Sequence, residues 1–193
     1  MNKGVKKQIL EAIETHKAIL AEFESGGVEI IAAIAEIITK AIKQGGCIYI
    51  CGNGGSAADA QHIAGELIGR FKKERKALPA VALSTDASVI TSIANDYSFD
   101  KVFARQVEAL AKKDDILWAI STSGNSANVL AAAQMAKKKG ASVLAFTGKV
   151  NSKLEQVADI CFYVESETSF RCQEIHQIAY HIICDIVEQN FCE

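Results

Sequence analysis

Between Cys47 and Ser166 the chain repeats one pattern five times: a short β-rich run that ends in small polar residues and gives way to a helical stretch. The runs are CIYICGNGGS, LPAVALSTD, DDILWAISTSGNS, ASVLAFTG and ADICFYVES. A continuous apolar run such as Ile116–Ile120 suits a strand buried on both faces, and strand–helix–strand alternation demands a parallel sheet with right-handed crossovers. The pattern therefore predicts an α/β fold, an open and doubly wound parallel sheet. In such sheets ligands bind at the carboxyl ends of the strands, where loops and helix N-termini converge.

Upstream, Val5, Ile9, Leu10 and Ile13, then Val28, Ile31, Ile34, Ile37, Ile38 and Ile42, recur at helical spacing with one break at Gly26-Gly27. This predicts an N-terminal helical pair over 1–44, ahead of an α/β core over 46–193, in a single domain. A last helix is expected from about Thr168 to Asn190, with Ile175, Ile178, Ala179, Ile182, Ile183, Ile186 and Val187 as its apolar stripe. Gln173, Gln177, His181 and Asp185 occupy its other face.

Composition matters for what it excludes. With 21 Lys+Arg against 23 Asp+Glu the net charge is −2, so no basic excess is available for nucleic acid. The first residues mix charges into every few positions and lack the apolar core of a signal peptide, so neither a membrane nor export is expected, and the chain is placed in the cytoplasm. None of the six cysteines forms a C-x-x-C pair. They are expected to be free thiols, with Cys47 and Cys51 packing beside a strand.

Two loops carry the chemistry. Ser121-Thr122-Ser123-Gly124-Asn125-Ser126 brings four hydroxyls to the start of the helix that opens near Ala127. Free N–H groups and the positive dipole end favour an anion there by about 0.3–1 kcal/mol, and a phosphate fits. A purely structural reading, with one Ser as helix cap and the rest as turn residues, accounts for one or two hydroxyls but not for four. The earlier loop, Gly52-Asn53-Gly54-Gly55-Ser56-Ala57, fits the G-x-G-x-x-A dinucleotide fingerprint. A nicotinamide site also needs an acid roughly 20 residues on, where Lys72-Lys73-Glu74-Arg75-Lys76 stands instead. A phosphosugar needs one phosphate cradle and one loop of close-approaching backbone, which the two loops supply together. Arg70, one turn after Glu66, could lean toward an anionic substrate; the basic stretch around it reads as a solvated loop.

His62 and Glu66 stand at i and i+4, so both project from one helix face. They suit a metal, proton transfer or a surface pair worth about 0.2–0.5 kcal/mol. On the last helix Gln173 and His181 lie about 80° apart around the axis, close enough to line one cavity. His181 as a satisfied core histidine is the alternative.

The segments CGNGGSAADAQHIAGEL, TSIANDYSFDKVFARQV, STSGNSANVL and QEIHQIAYHIICDIVE together resemble the phosphoheptose isomerases of the sugar isomerase (SIS) family, in order and over nearly the whole chain. The resemblance implies a five-stranded parallel sheet in an αβα sandwich, a homotetramer, and a site between subunits. It implies one Zn2+ per subunit on His62, Glu66, Gln173 and His181. For substrate it implies Asn53, Gly54 and Gly55 in the first loop, Asn95 and Asp96 at sugar hydroxyls, and Ser121, Thr122, Ser123 and Ser126 at the phosphate, with Glu66 and Gln173 also in contact. Cys172 departs from the aliphatic residue expected beside Gln173, but as a neighbour turned from the site.

The implied reaction converts sedoheptulose 7-phosphate into D-glycero-D-manno-heptose 7-phosphate, on the route to nucleotide-activated heptose for bacterial surface glycans. It moves a proton between adjacent carbons through an enediol. Such chemistry needs a base at carbon, for which Glu66 is the candidate, and an acid at oxygen or in ring opening, for which His181 is. A carboxylate on zinc is a weaker base than a free one, so Glu66 cannot fill both roles fully in one step. A non-catalytic SIS protein that binds the bacterial replication initiator is the main alternative; it would have no use for the complete His62, Glu66, Gln173, His181 set. A phosphosugar-sensing SIS regulator would be expected to carry a further domain.

Overall fold

The computed structural model describes residues 3–166 and 168–192. Two helices come first, α1 (Lys3–Gly26) and α2 (Val28–Lys43), with the break at the expected glycine pair. The alternating part follows as β1 (Ile48–Cys51), α3 (Gly55–Ile68), β2 (Ala80–Ala82), α4 (Ala87–Asp96), a 3-10 turn, α5 (Ala104–Leu110), β3 (Ile116–Ser121), α6 (Ala127–Lys138), β4 (Ser142–Thr147), α7 (Lys153–Val157), β5 (Ile160–Tyr163) and α8 (Ser169–Gln189). The five strands form one sheet in the order β2-β1-β3-β4-β5, and every pairing is parallel.

Strand periodicity divides the core in two. Ile48, Ile50, Ile116, Trp118, Ile120, Leu144 and Phe146 face α2, α3 and α8. Tyr49, Cys51, Leu117, Ala119, Val143 and Ala145 face the opposite layer, where α6 presents Ala132, Ala133 and Ala136. Small side chains on both sides of that contact let α6 approach the sheet closely. β3 lies at the centre, buried at every residue, as the sequence predicts for a doubly covered strand.

Strand order fixes where a ligand can sit. After β1 the chain builds toward β2, and after β3 it builds toward β4, so the order reverses between β1 and β3. The helices that follow them, α3 and α6, lie on opposite faces of the sheet. A crevice is left between their N-termini at the carboxyl edge, lined by the two loops singled out in the sequence.

At the far end of α3 the basic stretch is less solvated than expected. Glu188 of α8, 1% exposed in its side chain, accepts N–H bonds from Phe71, Lys72 and Lys73 at 2.7–2.9 Å. Burial alone would raise its carboxyl, but these three bonds and the adjacent Arg75 outweigh it and hold the group below the usual carboxylate range. Arg75 is equally buried, with its Nε 3.4 Å from Glu188. Its guanidinium donates to the carbonyls of Leu67, Gly69 and Glu66 at 2.8 Å, closing the end of α3. Arg70, by contrast, lies beyond the helix end and is exposed, 3.7 Å from Glu74.

The apolar stripe of α8 divides as well. Ile175, Ala179, Ile183 and Val187 are core, while Ile178, Ile182 and Ile186 line a groove with Leu20, Val28 and Ile31 of the N-terminal pair. α1 has no buried residue over its 24, although Phe23 packs edge-on against Phe162 with ring centroids 5.3 Å apart.

Losing one member of a buried ion pair leaves the other charge uncompensated, at a cost of about 3–5 kcal/mol. Arg75→Ala is expected to lower stability by that amount in urea unfolding. Lys7→Ala, which removes an exposed pair at 3.6 Å, is expected to change it by less than about 1 kcal/mol.

Candidate active site

The hydroxyl loop after β3 is built as a donor cluster. Ser126 occupies the N-cap position of α6 but makes no capping bond; Ser121 Oγ instead donates to Ser126 Oγ at 3.0 Å and lies 3.3 Å from Ser123 Oγ. Thr122 Oγ1 donates to Ser169 Oγ at 3.2 Å, which ties the loop to the first turn of α8. Ser123 Oγ also accepts from the N–H of Asn125 at 3.2 Å, so the loop's hydroxyls bond chiefly to one another and to its own backbone beside a helix start with no side-chain cap.

The glycine loop after β1 meets it across the crevice. Asn53 Nδ2 donates to Asn128 Oδ1 at 2.9 Å, and Asn128 Nδ2 donates back to Asn53 Oδ1 at 2.8 Å. Asn128 is buried and also accepts from the N–H of Val129. Gly54 has φ of +56°, a left-handed conformation that glycine adopts without the Cβ clash. At Gly55 a Cβ would lie 2.6 Å from Gln173 Nε2, so a side chain there would displace the Gln173 amide from its present place.

Further along α3 the paired His62 and Glu66 meet α8. His62 Nε2 is 3.0 Å from Glu66 Oε1 and 3.4 Å from His181 Nε2. One ligand atom from each of the three residues lies within 4.8 Å of the others. Burial, and the neighbouring His62, push His181 below its ordinary value, with Glu66 opposing; the neutral ring that results is the form a metal accepts. Phe71 lies beside His181, ring centroids 5.8 Å apart.

Behind His62, Tyr180 Oη is 3.0 Å from Nδ1 and donates to Asp59 Oδ1 at 3.5 Å. Burial raises the Asp59 carboxyl to about 6, against lowering by the Tyr180 bond and His62. Its Oδ2 is buried with no hydrogen-bond partner.

The structure thus brings His62, Glu66 and His181 together, and gathers Asn53, Ser121, Ser123 and Ser126 at the crevice. Gln173 lies with its amide against Gly55, about 10 Å up the α3 axis from His62 by helix rise. Asn95 and Asp96 are exposed in the last turn of α4, bonded to each other at 2.9 Å. Cys172 is buried, with its thiol donating to the carbonyl of Thr147 at 3.7 Å. Burial pushes the Cys51, Cys172 and Cys184 thiols up to about 12 and that of Cys161 to about 11, so none is a thiolate near neutral pH. Buried His176 is pushed down to about 4 and rests on the Thr147 carbonyl at 3.1 Å. Asn128, Asp59 and Tyr180 were not among the sequence candidates. Asp59 alone carried a local signal, three residues before His62 on the same helix.

The SIS domain family model matches residues 12–148. A phosphoheptose isomerase from Aquifex aeolicus is 46% identical over 193 residues, covering 100% of this chain and 99% of its own. One from Thermodesulfovibrio yellowstonii is 47% identical over 184 residues, 95% of this chain and 92% of its own. The chain belongs to the phosphoheptose isomerases, within the SIS family. Among solved structures, the phosphoheptose isomerase from Neisseria gonorrhoeae superposes with a TM-score of 0.91 at 38% identity, covering 96% of this chain and 99% of that one. The Francisella tularensis phosphoheptose isomerase gives 0.92 at 36% identity, covering 96% and 98%. The family model ends before α8, the helix that carries Gln173 and His181.

An acid whose folded pKa is raised weakens the fold when ionised. That cost is absent below the ordinary carboxylate value and grows as pH rises through about 6. Asp59→Asn is therefore expected to raise the melting temperature of metal-free protein near pH 8, and the gain is expected to vanish near pH 4.

Proposed function

We propose that this chain interconverts sedoheptulose 7-phosphate and D-glycero-D-manno-heptose 7-phosphate, as the name of its family describes. One observation carries the reading: α3 starts at the crevice beside the hydroxyl loop and, two turns on, brings His62 and Glu66 to His181 of α8. A single helix thereby relates an anion cradle to a proton-transfer group.

The phosphate is held by the hydroxyls of Ser121, Thr122, Ser123 and Ser126 and by the free N–H groups of α6. Asn53, Gly54 and Gly55 offer backbone and amide contacts to the sugar, and Asn95 and Asp96 are assigned to its hydroxyls. Glu66 takes the proton from one carbon and returns it to the next, with its turn of α3 held by the Arg75 bond to its carbonyl. His181, its pKa lowered by burial and by the neighbouring His62, exchanges a proton at oxygen when it is not holding the metal. Each such group supplies about 10²–10⁴-fold.

Two imidazoles and one carboxylate form a donor set suited to zinc. We assign one Zn2+ per subunit to His62, Glu66 and His181, with Gln173 as a fourth ligand once its side chain turns from Gly55 along α8. When bound, the ion supplies positive charge that stabilises an enediolate oxygen. Glu66 then serves as base only as its hold on the metal loosens.

The reading includes a homotetramer in the cytoplasm. Val5, Ile9, Leu10 and Ile13 of α1 are 45–49% exposed, and the groove beside Ile178, Ile182 and Ile186 is apolar, as subunit contacts would use. Among the described residues no helix is long and apolar enough to cross a membrane. No nucleic acid enters the reading.

Metal-stripped protein given sedoheptulose 7-phosphate is expected to form aldoheptose phosphate only after zinc is restored. Glu66→Gln is expected to lower turnover about 10²–10⁴-fold, and Ser126→Ala to act mainly on KM. Absence of conversion by folded protein, with and without zinc, would sink the enzymatic reading. In light scattering the expected mass is four times the 20.7 kDa chain.

A further inference from the structure

Two side chains stand behind the His62–Glu66–His181 cluster, and the proton transfers above give them no role. Tyr180 comes from α8 and is fully buried. Asp59 comes from α3, three residues before His62. Tyr180 Oη lies between them, 3.0 Å from His62 Nδ1 and 3.5 Å from Asp59 Oδ1.

We propose that Tyr180, backed by Asp59, is a positioning residue that holds the His62 ring by Nδ1 and so presents Nε2 to the shared cation. This rests on the zinc reading given above. A phenolic hydroxyl has one proton to give and lone pairs that accept, whereas an ionised carboxylate only accepts. Beside Asp59 the Tyr180 proton goes to the carboxylate, which leaves Oη free to accept the Nδ1–H of His62. A neutral ring protonated at Nδ1 carries its lone pair on Nε2, the nitrogen that faces Glu66 Oε1 at 3.0 Å and His181 Nε2 at 3.4 Å.

Without a cation, Glu66 competes for the ring's proton at Nε2. A cation takes that position, and the proton then needs an acceptor on the far edge of the ring. Among the described residues Tyr180 is the group placed to receive it. The two rings also meet edge to face, with centroids 5.5 Å apart and planes at 70°, so the hydroxyl and the ring contact together fix the His62 plane. Partners that orient a ligating histidine in this way are worth about 10–100-fold in metal affinity.

The test uses full-length Tyr180→Phe and Asp59→Asn proteins, zinc affinity by competition with a chromophoric chelator, and urea unfolding of the metal-free forms. Tyr180→Phe keeps the ring contact and is expected to bind zinc about 10–100-fold more weakly. Asp59→Asn retains a neutral acceptor and is expected to lose less, while its metal-free form stays at least as stable as the parent near pH 8. In the zinc-loaded parent, nitrogen-15 NMR is expected to show the His62 proton on Nδ1, slow to exchange, and Tyr180→Phe to exchange it rapidly. Unchanged zinc affinity in both variants, or zinc found on Nδ1 of His62, overturns the inference and leaves the zinc reading standing. A parent protein with no zinc affinity overturns the zinc reading itself, and this inference with it.

Discussion

A parallel sheet cannot close its own ends. Each strand must be left by a crossover, and where successive crossovers pass to opposite faces, nothing covers the carboxyl edge between them. Here that gap falls between β1 and β3, and the two loops beside it are the richest in glycine and hydroxyl side chains. The reciprocal amide pair of Asn53 and Asn128 spans it, so the loops hold a fixed separation although their helices diverge. Everything assigned to substrate depends on this geometry.

The second dependence is the contact of α3 with α8. At the first turn of α3 the Gln173 amide of α8 lies against Gly55, and the buried Arg75–Glu188 pair fastens the other end. Between these two fixed points His62, Glu66 and His181 meet. A charged pair sealed from water is a weak source of net stability. Its use here is directional: the guanidinium bonds three carbonyls at the end of α3 and so sets the pitch at which Glu66 is offered.

Much of this was legible in the sequence because it is local. Strand runs such as ILWAI carry their burial in their composition, the helix break sits at a glycine pair, and the i, i+4 spacing of His62 and Glu66 needs no tertiary knowledge. The hydroxyl loop was readable for the same reason, and Ser126 makes no side-chain cap bond there. What escaped was contact between elements distant in the chain. Asn128 looks like an ordinary first-turn residue of α6 until Asn53 is seen opposite, and Tyr180 reads as core beside His181 until Asp59 and His62 close around its hydroxyl. Arg75 was hidden in a run of charges whose other members are solvated. Gln173 shows the converse: its type and position fit the resemblance, yet its amide rests on Gly55, because a side chain on α8 packs against whatever α3 leaves open.

The hydroxyl loop has one more consequence. Its donors are neutral: serine and threonine hydroxyls and backbone N–H groups, with no lysine or arginine side chain bonded to them among the described residues. The field of a dipole falls off with distance more steeply than that of a charge, so such a cradle attracts an anion at contact range and scarcely beyond it. A net charge of −2 adds no long-range pull. If the loop takes the phosphate assigned to it under the proposed function, capture by these donors depends on collision rather than steering, and the loop's own share in the rate of encounter is nearly indifferent to ionic strength. In a medium crowded with phosphate esters, a site of this kind selects by fit after arrival, and most of the anions that touch it leave again.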